Sequence, residues 1–376
     1  MRVLFVTQTG ASLGGAEHSL LLLLQHLTDD VQSSVLLFED GAYAERLRKE
    51  GFPVDVVEMP AELLAVRREN LLRPQSAKHI FQAVSRTRRR IAAAAPDVVH
   101  TNSIKAHFLA GLAARIAGVP VVMHFRDFLP GLGRFALALD ARTLASKRIA
   151  CSHAVAAWYP GGPTETIANP IDVAAYNDLP ERDVARKALG LEAGLVIGIV
   201  GRINRWKGHD RFLRIAARVN REIPITIAVV GEARFRDADF VPELRALARS
   251  LGIVDRVHFL PWQEDPRIAY AALDVHCNCS DREPFGRTTA EAALAGVPTV
   301  TFDDGGASDI IEDRISGRLV RSGDEGAFAE AVLEYLQDAP LRRRAGEAAR
   351  TAASRFDPAT HARRVAEVLT LAARSR

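Results

Sequence analysis

Short apolar runs rich in Val, Leu and Ile recur along the whole chain, and a stretch of mixed polarity separates each run from the next. The runs lack strict alternation, which indicates strands that are buried on both faces of a sheet. Repeated strand–helix–strand order predicts parallel sheets with right-handed crossovers. The predicted strands are 3–7, 34–38, 54–58, 97–100, 119–124 and 148–151 in a first series, and 195–200, 225–230, 256–260, 275–278, 297–302 and 317–320 in a second series.

A polar segment separates the two series. Asn169-Pro170 is a turn signal, because proline biases the residue before it away from helix, and the polar stretch 177–186 follows. A length of 376 residues also suits two domains. We therefore predict two α/β, Rossmann-like domains over 1–172 and 173–357. Ligands in such sheets bind beyond the carboxyl ends of the strands, so the expected site is a cleft between the domains.

Composition excludes several classes of protein. A net charge of +3 does not demand nucleic acid as a partner. The cysteines Cys151, Cys277 and Cys279 form no CxxC pair, which argues against a disulfide framework or a zinc site and fits a reducing cytoplasm. No run approaches the roughly 18 apolar residues of a membrane span, and the first residues lack the features of a signal peptide. We expect a cytoplasmic protein.

Two glutamates eight positions apart carry the sharpest chemical signal. Glu283 lies in a loop after strand 275–278, and Glu291 lies early in a helix predicted over about 287–295. Between them, Gly286 allows close approach of a ligand, and the helix start presents amide groups and a positive dipole end to an anion. Two carboxylates around an anion site match the ribose, diphosphate and hexose of a nucleotide sugar. The alternative is that both glutamates are ordinary surface residues.

A second signal lies in the segment 201–208, which follows strand 195–200 and precedes a helix. Arg202 and Lys207 project from this loop at the carboxyl edge of the sheet. An arginine fork and a lysine point charge both suit phosphate oxygens, so this pair predicts diphosphate binding. Arg205 is predicted to be solvated. Because these cations can neutralise a diphosphate and because Asp303-Asp304 is not a D-x-D motif, we expect neither a metal nor a cofactor.

Weaker signals lie in the first series of strands. The glycine-rich segment 10–17 links the first strand to the first helix but does not fit G-x-G-x-x-G. His124 ends the strand 119–124, where it is predicted to contact a sugar or its leaving group. His100 is a weaker candidate of the same kind. Glu39-Asp40 stand where a dinucleotide enzyme keeps its ribose acid, so a nicotinamide enzyme remains an alternative.

Basic residues crowd one stretch of the first domain. Their ordinary interpretation is a solvated helix face. The sharper one is contact with an anionic membrane surface at the inner face of the membrane, which suits an enzyme with a lipid acceptor. The residues are Arg67, Arg68, Arg73, Lys78, Arg86, Arg88, Arg89 and Arg90.

Together these motifs resemble the GT-B glycosyltransferases, specifically the retaining group called glycosyltransferase family 4. The resemblance covers nearly the whole chain. It implies metal-independent transfer of a sugar from a UDP- or GDP-sugar to a glycan or lipid-linked acceptor, in cell-surface polysaccharide or glycolipid assembly. The matching residues are Gly14-Gly15-Ala16-Glu17, His124, Asn169-Pro170-Ile171-Asp172, Gly201-Arg202, Lys207-Gly208, Glu283 to Glu291 and Gly305-Gly306.

The resemblance also implies roles. Glu283 is expected to contact the transferred sugar and Glu291 the ribose, while Arg202 and Lys207 hold the diphosphate. The catalytic set is Glu283, His124, Arg202 and Lys207, and the remaining substrate-binding residues are Gly14, Gly15, Trp262 near the base, Phe285, Gly286, Arg287 and Thr288. The last helix, within 358–376, is expected to return to the first domain.

Two residues depart from the family pattern and stay unassigned. Asp127 is displaced from the usual His-Asp pair, and Asp309 stands where a glutamate is common. Three other functions also stay open: a sugar-nucleotide epimerase of the same fold, a nicotinamide oxidoreductase, and a binding protein without turnover.

Overall fold

The computed structural model describes residues 1–10, 14–59, 63, 77–233, 237 and 239–375. The chain divides into two compact units. Unit 1 comprises Met1–Pro170 together with Phe356–Arg376, and unit 2 comprises Ile171–Arg355. Of the predicted basic stretch, Arg67, Arg68 and Arg73 lie outside the described residues, as do residues 11–13 of the glycine-rich loop.

Unit 1 is built on a seven-stranded parallel sheet of order β3-β2-β1-β4-β5-β6-β7. β2 and β3 lie on one side of β1, and β4 to β7 lie on its other side, in chain order. The strands are β1 Arg2–Thr7, β2 Gln32–Leu37, β3 Val54–Val56, β4 Val98–Thr101, β5 Val121–Phe125, β6 Lys147–Ala150 and β7 Glu165–Thr166. The helices are α1 Gly15–His26, α2 Ala42–Lys49, α3 Ala77–Ala94, α4 Ile104–Ile116, α5 Leu132–Leu144 and α6 His153–Trp158.

A further helix, α14 (Pro358–Ala373), belongs to unit 1 although it follows unit 2 in the chain. Its buried residues recur at helical spacing and join the core formed by the strands and by α1. Val365 and Leu369 are fully buried there. The core of unit 1 is therefore assembled from both ends of the sequence.

Unit 2 is built on a six-stranded parallel sheet of order β10-β9-β8-β11-β12-β13. The strand order reverses between β8 and β11, which are neighbours, so this is the topological switch point where α/β sheets bind ligands. The strands are β8 Val196–Val200, β9 Thr226–Val230, β10 Val257–Leu260, β11 Val275–Asn278, β12 Thr299–Phe302 and β13 Gly317–Val320. The helices are α7 Arg182–Ala188, α8 His209–Glu222, α9 Phe240–Ser250, α10 Arg267–Ala271, α11 Arg287–Leu294, α12 Glu325–Gln337 and α13 Ala339–Ala353.

The predicted α/β class with two parallel sheets is confirmed, with differences at particular elements. Two predicted strands begin later than expected, at Val121 and Thr299, because Pro120 and Pro298 precede them and proline lacks the N–H of a sheet ladder. The polar stretch 177–186 contains the start of α7 instead of an irregular segment. No helix in the described ranges combines the length and the apolar character needed to cross a membrane.

Candidate functional site

Two loops meet at the switch point of the unit 2 sheet. β8 and β11 run parallel, with Ile197 opposite Val275, so the loops after both strands leave from the same edge. The Lys207 ammonium lies 2.5 Å from a Glu283 carboxylate oxygen. Their side chains are only 15% and 11% exposed, so this ion pair is mostly withdrawn from water. An acid and a base that are 76 positions apart thus share one site.

The loop that carries Lys207 is fixed by its own backbone. The Asn204 side chain accepts a hydrogen bond of 3.1 Å from the Lys207 N–H and caps a single 3-10 turn, Arg205–Lys207. Gly208 follows with a φ of +70°. A Cβ atom at Gly208 would lie 2.0 Å from the Cys279 carbonyl oxygen, so only glycine fits against the end of β11.

A second backbone contact fixes the loop that carries Glu283. The Glu283 N–H donates to the Asp304 carbonyl at 3.1 Å, and the Gly306 N–H donates to the Glu283 carbonyl at 2.7 Å. A Cβ atom at Gly305 would lie 2.2 Å from the Glu283 carbonyl oxygen. The glycine pair after β12 therefore holds Glu283 in place by direct backbone packing.

Glu291 is held by two donors on α11 and α10. One carboxylate oxygen accepts from the Arg287 Nε at 2.9 Å, and the other accepts from the Tyr270 hydroxyl at 2.8 Å. Burial and the neighbouring Glu291 charge raise the pKa of the Tyr270 hydroxyl well above its usual range, so it stays protonated and donates. With Glu291 only 8% exposed, the alternative of an ordinary surface residue does not describe it.

The other predicted residues of unit 2 differ in their surroundings. Arg202 is exposed, and none of the ion pairs among the described residues includes it. Thr288 lies against Gly201, since a Cβ atom there would be 3.5 Å from the Thr288 methyl group. Phe285 is buried, and Gly286 precedes the first residue of α11 with a φ of +97°. Trp262 is half exposed after β10, which β9 separates from β8, and its contact with the base stays a prediction.

His124 is enclosed in unit 1, which its place at a strand end did not indicate. The ring is fully buried, with Nδ1 at 3.3 Å from both the His100 Nε2 and an Arg126 guanidinium nitrogen. His361 of α14 stacks on it. Burial, followed by the Arg126 charge, lowers the pKa of His124 well below its usual value, so the ring is neutral. Its contact with a sugar stays a prediction.

The other glycines predicted to bind substrate, and the two aspartates left unassigned, are described by the contacts of their backbone atoms. Gly14 and Gly15 stand at the start of α1, where the Gly14 N–H donates to the Glu17 carboxylate at 3.0 Å. The Asp127 carbonyl accepts from the Tyr159 hydroxyl at 2.9 Å, and in unit 2 the Asp309 carbonyl accepts from Arg355.

Among the residues that the structure describes, no group of three or more His, Cys, Asp or Glu could hold a metal ion.

Sequence reasoning missed two residues that shape the site. Asn204 had a usable signal, because asparagine just before a short helical turn is a frequent cap. Tyr270 had none, since it reaches Glu291 from another helix. Arg205 was predicted to be solvated, and its largely exposed side chain also pairs with Glu243 at 2.6 Å.

Two family models cover most of the chain. Residues 13–175 match the model described as Glycosyltransferase Family 4, and residues 181–352 match the model described as Glycosyl transferases group 1. The chain belongs to glycosyltransferase family 4. The residues at the carboxyl edge of unit 2 are therefore its candidate donor site.

Solved structures agree on the fold of this family 4 glycosyltransferase. HepE from Anabaena, solved with UDP and glucose, is 29% identical with a TM-score of 0.83, and the match covers 98% of this chain and 99% of HepE. The same protein has been solved with UDP-glucose. WaaG, a glycosyltransferase of lipopolysaccharide biosynthesis, is 18% identical with a TM-score of 0.73 over 98% of this chain and 99% of WaaG, and it shows the fold alone. The predicted GT-B architecture is confirmed.

Curated relatives match this family 4 glycosyltransferase over a shorter range. The D-inositol 3-phosphate glycosyltransferase of Salinispora arenicola is 35% identical over 181 residues, which are 46% of this chain and 40% of that protein. The enzyme of the same name from Rhodococcus erythropolis is 37% identical over 192 residues, which are 49% of this chain and 43% of that protein. The chain thus spans less than half the length of these relatives.

We expect Gly208→Ala to destabilise unit 2 more than Gly190→Ala. Both glycines have a φ near that of a left-handed residue, +70° and +65°. A side chain there costs about 1–3 kcal/mol of backbone strain at either position. Only Gly208 also faces a carbonyl, because nothing lies within 4 Å of a Cβ atom at Gly190. Urea unfolding of the two variants measures the difference; equal losses would show that the loop can move away from β11.

Proposed function

We propose that this glycosyltransferase moves a hexosyl group from a UDP- or GDP-sugar to a glycan or lipid-linked acceptor, with retention of configuration and without a metal. The observation that carries the proposal is the convergence of Lys207, Glu283 and Glu291 at the carboxyl edge of one sheet. HepE, at 29% identity, has been solved with UDP and glucose, which supports UDP-glucose as the first donor to test.

The Lys207–Glu283 pair would exchange partners when a donor binds. The leaving diphosphate offers Lys207 and the exposed Arg202 a stronger anionic partner. Glu283 then turns its oxygens to the hydroxyls of the transferred sugar. Because the side chains are mostly withdrawn from water, each of these interactions is stronger than it would be at an exposed position.

The proposed transfer step breaks the bond between the anomeric carbon and the diphosphate oxygen. The acceptor hydroxyl forms its new bond on the face from which the diphosphate departs, and a leaving phosphate oxygen takes the acceptor proton. Arg202 and Lys207 stabilise the negative charge that develops on the diphosphate. The contribution of the protein is therefore positioning and charge stabilisation.

Glu291 would bind the ribose of the donor. A carboxylate accepts about four hydrogen bonds, and Arg287 and Tyr270 occupy one position on each oxygen. One position on each oxygen is left for the two ribose hydroxyls. The two donors also fix the carboxylate in one orientation, which lowers the entropic cost of binding.

Protein-observed titration with a panel of nucleotide sugars, followed by slow donor hydrolysis, tests the proposal and separates it from its alternatives. An epimerase would convert the donor without an acceptor, and a binding protein would hold the donor without turnover. A nicotinamide enzyme would instead change the absorbance and fluorescence of its cofactor. The acceptor panel includes D-inositol 3-phosphate because the curated relatives carry that name.

Lys207→Ala is expected to lower turnover by about a hundredfold or more, because one well-placed charge stabiliser contributes about 2.7–4 kcal/mol to the barrier. Steady-state kinetics with the identified donor measure the loss. The matched control is Arg205→Ala, since Arg205 lies in the same loop but pairs with Glu243. Turnover of Lys207→Ala within a few fold of the wild type would remove Lys207 from the mechanism.

Glu291→Ala is expected chiefly to weaken donor binding. A hydrogen bond to a charged group contributes about 1.5–3 kcal/mol, which corresponds to roughly 10- to 150-fold in affinity. Calorimetric titration of the donor measures the effect. Glu222→Ala removes an exposed carboxylate at the end of α8 and serves as the control. An unchanged donor affinity for Glu291→Ala would reject the ribose role.

We also propose that α3 contacts an anionic membrane surface from the cytoplasmic side. Phe81 on this helix is 76% exposed, and Arg86, Arg88, Arg89 and Arg90 of the same helix are exposed as well. Exposed aromatic and basic residues on one helix favour the interface of an anionic bilayer.

Arg88→Gln with Arg89→Gln is expected to reduce co-sedimentation with vesicles that contain phosphatidylglycerol by about tenfold or more, because each arginine near such a surface contributes about 1 kcal/mol. Vesicles of phosphatidylcholine alone give the baseline. Lys187→Gln with Arg221→Gln removes the same charge from unit 2 and is expected to leave binding unchanged. Equal binding by the two double variants would leave α3 as a solvated helix face.

A further inference from the structure

Unit 2 contains a cavity of about 380 Å³ at the edge of the sheet opposite the donor site. Asp274 and Pro298, which line it, stand just before β11 and β12, at the amino ends of these strands. The donor residues follow the carboxyl ends of β8 and β11. The charged side chains around the cavity are Arg182, Arg342, Arg343, Arg350, Asp274 and Glu347.

One buried carboxylate attracts three guanidinium groups at this cavity. Asp274, which is 3% exposed, lies 2.7 Å from Arg186, 3.1 Å from Arg182 and 3.7 Å from Arg342. It also accepts the Val196 N–H at 2.8 Å. A single carboxylate neutralises one of the three cations, so the cluster keeps a surplus of positive charge.

Two further arginines add to the surplus. Arg343 and Arg350 are exposed on α13, and within the part of the chain that the structure describes neither forms an ion pair. Glu347 is the one acidic residue between them on that helix. Most of the positive charge here has no anionic partner of its own.

We propose that this cavity binds a small molecule that carries a phosphate or diphosphate group, at a site separate from the donor site. Arginine forks match phosphate oxygens in pairs, and a cavity of about 380 Å³ lies in the size range of small-molecule sites. The concave shape favours a soluble ligand over a lipid headgroup in a flat surface.

The ligand would lie at the far end of the helix that carries Glu291. Gly286 precedes α11 beside the donor residues, and Ala295 and Gly296, which line the cavity, follow its last residue. α13 packs directly on this end, because a Cβ atom at Gly346 would lie 2.0 Å from the Gly296 carbonyl oxygen. The anion site and the donor carboxylate thus share one rigid element.

Pyrophosphate is the probe, and calorimetric titration at constant ionic strength is the measurement. Because the donor site is also expected to bind pyrophosphate, the background protein is the variant Arg202→Ala with Lys207→Ala. This background is expected to bind pyrophosphate, and adding Arg343→Gln with Arg350→Gln is expected to weaken binding at least tenfold. Adding Arg321→Gln with Arg344→Gln instead removes the same charge from exposed positions outside the cavity lining and is expected to leave binding unchanged.

The proposal is overturned if the background protein does not bind pyrophosphate, or if its binding is indifferent to Arg343 and Arg350. Binding of phosphatidic acid vesicles that depends on these arginines, without pyrophosphate binding, would also overturn it, because the ligand would then be a lipid headgroup. Melting temperatures without anion check that the variants fold. If the double change unfolds the protein, Arg343→Gln alone in the same background gives the same comparison. None of these outcomes depends on the identity of the sugar donor.

Discussion

The parallel arrangement of β8 and β11 is the constraint on which the candidate donor site depends. Parallel neighbours release their following loops at the same edge, so Lys207 and Glu283 meet although 76 positions separate them. The ion pair alone would not fix this geometry, since withdrawing charges from water offsets much of their attraction. The backbone contacts at Gly208 and Gly305 supply the rigidity. The charges are therefore free to exchange partners while their loops stay in place.

Local patterns explain why much of this arrangement could be predicted. Runs of apolar residues located β11 and β13 at their observed bounds, and the rule for parallel sheets put Arg202, Lys207 and Glu283 at one edge. Contacts made by distant segments could not be predicted in this way. α7 looked like a polar linker, because nothing near Arg186 in the sequence indicates that its buried side chain bonds to Ala272 and to Asp274, 88 positions later. Likewise, nothing near His124 in the sequence indicates that His361 covers it.

Charge is distributed very differently at the two edges of the unit 2 sheet. At the carboxyl edge, Lys207 is matched by Glu283 and Arg287 by Glu291. At the amino edge, several arginines share Asp274, and two more have no acidic partner among the described residues. The whole chain carries a net charge of only +3, which conceals this local imbalance. Composition alone therefore does not predict the proposed anion site. The fold is needed to show that these arginines lie around one cavity.

The position of α14 in the core of unit 1 has a consequence for how the protein is made. A ribosome synthesises the strands of unit 1 first, then all of unit 2, and only then the helix that packs on β4, β5 and β6. At roughly 5–20 residues per second, this delay is on the order of ten seconds or longer. During that time the nascent sheet of unit 1 exposes an apolar strip, and the sequence of unit 2 is complete before α14 is made. We therefore expect the second unit to mature before the first.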